Sequence, residues 1–152
     1  MTADAIVAAV GIYAGALVIG ALSSIVPIIS IEVFLIALAV TGHADGAAII
    51  AALVILATLG QVAGKLPIYF AARGLASVDG RHRRWLDRFR AWTARLGNRP
   101  LGLIGASAVL GIPPFSICST AAGALAIPLR SFCAVVALGR AARFTALLLL
   151  TA

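Results

Sequence analysis

Acidic residues are what this chain has least of: five Asp and Glu stand against twelve Lys and Arg in 152 residues. Cysteine is almost as scarce. Cys118 and Cys133 both sit in apolar context, with no CxxC and no histidine nearby, which argues against a metal site and for free buried thiols. The two histidines, His43 and His82, fall in a polar turn and a basic stretch. No HExxH, GxSxG or phosphate-binding loop is present, so the chain is not read as an enzyme and no cofactor is implied. Charge of any kind is rare, at 11%, while 62% of residues are hydrophobic and the mean hydropathy is +1.12. A soluble domain would need more charge than that.

What remains is apolar sequence in long runs. Segments 5–41, 46–72, 101–129 and 131–152 each reach or exceed the roughly 20 residues that span a hydrocarbon core. Helices satisfy their own backbone in lipid and open loops cannot. The expected fold is therefore all-α, a polytopic membrane helix bundle in one domain covering 1–152. No secretory signal is evident, because the start carries Asp4 in place of a basic region.

The net charge of +7 is unevenly placed. Seven of the twelve Lys and Arg lie between Arg81 and Arg99, the one long polar connection. That asymmetry marks the connection as cytoplasmic. Trp85, Phe89, Trp92 and Leu96 recur there at helical spacing, flanked by Arg84, Arg88 and Arg95. Indoles at headgroup level and arginines toward lipid phosphate describe an interfacial amphipathic helix over 77–99. It serves either as a topology anchor or as a pocket for anionic lipid headgroups. Nucleic acid is not an expected partner, since neither a helix-turn-helix nor an aromatic stacking platform accompanies the charge. Asp79-Gly80 before the arginines faintly resembles a phospholipid head-group transferase, but the spaced metal-binding aspartates of such an enzyme are missing.

Two of the apolar runs carry their own interruptions. Run 5–41 is too long for one crossing. It divides into a transmembrane helix over 5–22 and a broken or re-entrant segment over 24–40, with Pro27 and Glu32 near its tip. Proline removes one helical hydrogen bond and clashes with the preceding turn. A second broken or re-entrant segment, 101–129, contains Pro113-Pro114 among hydroxyl residues. Transmembrane helices are expected at 47–72 and 131–152. Within 47–72, Pro67 is a candidate early end. Paired interrupted segments are a sequence pointer to a transport site at mid-membrane. Gly11 with Gly15, Gly60 with Gly64, and Gly123 offer small faces for helix packing, within the chain or in a homo-oligomer.

Four charges fall inside the apolar runs: Glu32, Lys65, Arg140 and Arg143. Intramembrane charges are costly and mark partners, cavities or substrates. Lys65 lies eight residues before Arg73, about 12 Å deeper along a straight helix. Arg140 and Arg143 share a helix face. Both would instead be interfacial if the last crossing ended near Leu138. Glu32 is either a counter-ion to Lys65 or Arg140, or a proton carrier; desolvation favours its neutral form and a nearby cation its charged form. Three cations against one acid suit an anionic guest.

Three stretches together resemble the DedA family, also called the VTT or SNARE-associated membrane proteins. They are Pro27 with Glu32; Gly60, Gly64, Tyr69 and Arg73-Gly74; and Gly111-Ile112-Pro113-Pro114-Phe115 followed by Ala122-Gly123, Phe132 and Gly139-Arg140. They cover residues 24–145. The resemblance implies two opposed re-entrant hairpins meeting at the membrane middle. It also implies translocation of an anionic phospholipid or polyprenyl phosphate across a bacterial inner membrane, with membrane lipids as partners. By position, Glu32 matches the family's acid and Arg140 the arginine of its last signature. Leu110-Gly111 stands where many members carry an arginine. The alternatives are a transporter of a small soluble solute, proton-coupled or not, and a non-transporting scaffold built on the glycine faces.

Overall fold

The computed structural model describes residues 3–26, 28–75, 84, 87, 88, 91, 100–110 and 115–151. Among them are six helices and no strand: α1 (Ala3–Ile25), α2 (Ile31–Val40), α3 (Ala47–Leu75), α4 (Pro100–Leu110), α5 (Phe115–Ala124) and α6 (Leu129–Thr151). Two are long and apolar enough to cross a membrane, α3 over Ala47–Gly74 and α6 over Leu129–Thr151. Of an 18-residue apolar stretch in each, 39% and 28% is buried. Leu59 and Phe70 on α3, and Leu138, Leu149 and Leu150 on α6, are exposed. Gly11–Ile25 of α1 and all of α2 are shorter apolar helices.

The chain forms two compact units, Met1–Gly64 with Arg140–Ala152, and Lys65–Gly139. Both α3 and α6 contribute one part to each.

In the first unit, α1 and α3 approach backbone to backbone. A Cβ on Gly20 would sit 2.7 Å from the Ala57 carbonyl oxygen, and one on Gly60 or Gly64 would collide with the carbonyls of Leu17 or Ala21. Glycine is what permits this spacing. The crossing is also hydrogen-bonded: Ser24 Oγ lies 2.9 Å from the Gln61 carbonyl, and Gln61 Nε2 donates to Ser23 Oγ at 2.6 Å. The helix face of α2 made by Ile31, Leu35 and Ala39 is buried, in a core with Ala16, Leu53, Ala57, Phe144 and Leu148. Between α1 and α2 the chain leaves the helix at Val26 and restarts after Ser30, whose side chain caps α2. The following turn closes with Gly42 and Gly46 at φ 72° and 93°, the left-handed region that favours glycine.

The second unit is organised around Tyr69. Its ring stacks on Phe132 with centroids 5.1 Å apart. Its hydroxyl donates to the Ile127 carbonyl and accepts from Arg73 at 2.9 Å. Gly123 lies against the Tyr69 carbonyl, where a Cβ would collide, and Gly139 against the Ala108 side chain.

The helix expected over 47–72 is present as α3, which runs through Pro67 to Leu75. One lost hydrogen bond is outweighed by the tertiary anchoring of Tyr69 and Ala72, both buried in the turns that follow. Gly11 faces open space, with nothing within 4 Å of a Cβ placed there, while Gly15 meets the ring of Phe34. The close approach on α1 is made by Gly20, which lies further along the helix where α3 crosses.

Candidate functional site

The charged site of the first unit is assembled from the start of α2 and the second half of α6. Ser30 has extended backbone, with φ −107° and ψ 115°, and its Oγ accepts from the Val33 amide at 3.3 Å, the geometry of an N-cap. Glu32 follows in the first turn, where the helix dipole favours an anion. The Ser30 hydroxyl donates to Glu32 Oε2 at 3.0 Å. One carboxylate oxygen is thus held by the cap that starts the helix.

The other oxygen meets two arginines. Arg140 Nη1 lies 3.4 Å from Glu32 Oε1, and Arg143 Nε lies 3.3 Å from the same atom. The Arg140 contact qualifies as a hydrogen bond. The Arg143 Nε approach is an ion pair without hydrogen-bond alignment. Both distances exceed the roughly 2.7–2.9 Å of tight charge-assisted bonds. Burial is graded across the cluster: the side chains of Arg140, Glu32 and Arg143 are 10%, 22% and 32% exposed. Since α6 is unbroken from Leu129 to Thr151, Arg140 is its middle residue and does not sit at a helix end near Leu138. The spacing of three residues puts Arg143 on the same face.

One carboxylate oxygen thus faces two guanidiniums. Between the two counter-ions expected for Glu32, the structure gives Arg140, with Arg143 added. Lys65 belongs to the second unit and is 3% exposed within α3.

The remaining expected residues divide by location. Gly15, Gly60, Gly64 and Gly123 make close contacts. Arg84 and Arg88 are helical and exposed, as are Asp87 and Ala91. Pro27, Pro113, Pro114, Trp85, Phe89, Trp92 and Arg95 lie outside the described residues. Cys118 and Cys133 are unbridged. Among the described residues no group of His, Cys, Asp or Glu could hold a metal ion.

In the sequence Ser30 stands out only as one of the residues interrupting the first apolar run, and Gln61 and Gly20 carry no assigned role. A serine two residues before a lone acid at a helix start is a legible capping signal. Gln61 carried a signal too, as an amide within an apolar run. No protein-family model, curated protein or solved structure matches this chain.

Proposed function

We propose that this is a polytopic inner-membrane protein that moves a phosphate-bearing amphiphile, an anionic phospholipid or a polyprenyl phosphate, across the bilayer. The observation that carries the reading is the Glu32–Arg140–Arg143 cluster at the middle of an apolar helix of crossing length. A crossing by α6 would carry Arg140 to mid-membrane, where a charge costs several kcal/mol unless it serves a partner or a substrate. Support also comes from the break between α1 and α2, close to the acid in sequence, and from the resemblance to the DedA/VTT pattern. In this reading 24–40 and 101–129 are re-entrant hairpins and 77–99 lies on the cytoplasmic surface. The arginines, with Lys65, attract the phosphate, and Glu32 resets the site by ion pairing or proton exchange.

The test is lipid translocation in proteoliposomes, read as accessibility of a headgroup-labelled anionic phospholipid to a membrane-impermeant quencher. The wild-type protein should equilibrate the label between leaflets, and Arg140→Ala should abolish that. Unchanged flipping in Arg140→Ala would overturn the assignment. Movement of a soluble anion with no lipid flipping would assign solute transport in its place.

A further inference from the structure

The two ten-residue helices end in the same way and differ by one residue. At the end of α2 the His43 amide donates to the Leu38 carbonyl at 2.9 Å and the Gly42 amide to the Ala39 carbonyl at 3.1 Å. At the end of α5 the Ile127 amide donates to the Ala122 carbonyl and the Ala126 amide to the Gly123 carbonyl, both at 3.0 Å. This nested pair of bonds closes a helix when the residue after its cap turns left-handed. Glycine takes that conformation freely, and α2 has Gly42 there at φ 72°. In α5 the position belongs to Ala126 at φ 53°, the one described residue other than glycine with positive φ. A Cβ is crowded against the following carbonyl in that region. Ala126 is exposed, so packing of its methyl does not hold it there.

The grip comes from the neighbouring residue. The Ile127 carbonyl accepts from the Tyr69 hydroxyl, and that hydroxyl accepts from Arg73 Nη1 at 2.9 Å. A hydroxyl that accepts from a guanidinium donates more strongly. Tyr69 is itself fixed: it is fully buried, its ring stacks on Phe132 and its carbonyl lies against Gly123. At the α2 turn the side-chain bonds stay local, from His43 Nδ1 to Thr41 Oγ1 at 3.0 Å and from Thr41 Oγ1 to the Ala37 carbonyl at 2.7 Å. The relaxed turn thus relies on glycine, and the strained one is tied to α3.

We propose that the turn between α5 and α6 is a loaded latch: the Arg73–Tyr69–Ile127 relay holds Ala126 left-handed, and the turn opens locally when the Tyr69 hydroxyl lets go. On opening, Ala126 returns to an ordinary backbone conformation and the two nested bonds break. The start of α6 at Leu129 is then no longer tied to α3 through Ile127. Arg73, exposed in the last turn of α3, is the accessible end of the relay. The inference concerns the second unit alone and does not depend on what the Glu32 cluster binds.

The experiment is hydrogen–deuterium exchange of the purified full-length protein in non-ionic detergent, read by mass spectrometry over residues 125–133, 41–46 and 11–25. Ala126→Gly removes the strain and should slow exchange at the Ile127 amide about fivefold. Tyr69→Phe keeps the ring and removes the grip, so exchange there should rise on the order of tenfold. The two together should return it close to wild type, because both act on one opening. Arg73→Gln should raise it by a smaller factor, about two- to threefold. Gly42→Ala puts the same strain where no relay opposes it and should raise exchange at the His43 amide about fivefold. Residues 11–25 should exchange as in wild type in all three second-unit variants. Unchanged exchange at Ile127 in Tyr69→Phe, or no slowing in Ala126→Gly, overturns the latch. So does a rise in Tyr69→Phe that residues 11–25 share by the same factor, since the opening would then be global unfolding. Exchange is read without transport, so failure of the translocation reading leaves this result standing, and the reverse holds.

Discussion

The two compact units use glycine in the same way but are pinned by different polar groups. In each, a glycine on one helix lies against a backbone carbonyl of another: Gly60 on Leu17 in the first unit, Gly123 on Tyr69 in the second. Beyond that they diverge. In the second unit the Tyr69 hydroxyl donates to the Ile127 main-chain carbonyl and accepts from the Arg73 side chain. The first unit links side chain to side chain, Ser23 and Ser24 with Gln61, and Ser30 with Glu32 and its arginines. These partners are exchangeable, because a carboxylate or a phosphate can replace what an arginine holds. Close packing is shared, and the ion pairs of Glu32 with Arg140 and Arg143 lie in the first unit.

The sharpest break of this comparison would come from the glycines. Gly60→Leu and Gly123→Leu each drive a branched side chain into backbone, and overpacking of that kind costs about 1–3 kcal/mol or more. Both should fall markedly in thermal midpoint in detergent, by similar amounts. A large loss in one unit and none in the other would show that the shared device is not shared.

Next in size is Arg140→Ala, which leaves Glu32 with its more exposed partner. Removing one side of a fully buried pair costs about 3–5 kcal/mol; solvent at Glu32, 22% exposed, reduces this to about 2 kcal/mol. Arg140→Ala combined with Glu32→Gln should recover part of the loss, which a double-mutant cycle measures. No recovery would mean the two side chains are not energetically coupled.

Tyr69→Phe should cost about 1–2 kcal/mol, since the Ile127 carbonyl and Arg73 both lose the hydroxyl. It should leave phosphate binding unchanged. A change in binding would give the second unit the ligand role assigned here to the first. Smallest is Gly11→Ala, on an exposed helical position with nothing within 4 Å. Better helix propensity should stabilise it by about 0.5–1 kcal/mol. Destabilisation would place a partner on that face.

Much of the site was legible because charge in an apolar run has no other excuse. Glu32, Arg140 and Arg143 stand out on composition alone, and helical spacing puts the two arginines together. Their pairing with Glu32 was not legible, since 108 positions separate Glu32 from Arg140 and Lys65 was an equal candidate. The α1–α3 crossing was half legible. Gly60 and Gly64 follow the small-residue spacing, but their partner on α1 is the stretch around Gly20, and the Gly11–Gly15 spacing pointed elsewhere. The helix across Pro67 was legible as 47–72, but the anchoring that offsets the proline's local cost was not.

Hydrophobic composition and the period of its interruptions determined from the sequence alone that this chain is helical, with segments of membrane-crossing length and a few costly charges inside them. Which charges meet, which glycine faces a carbonyl, and where a proline is tolerated were decided only in three dimensions. The reason is physical: burial depends on a residue's own surface, whereas pairing depends on which distant backbone the packing brings within about 3 Å.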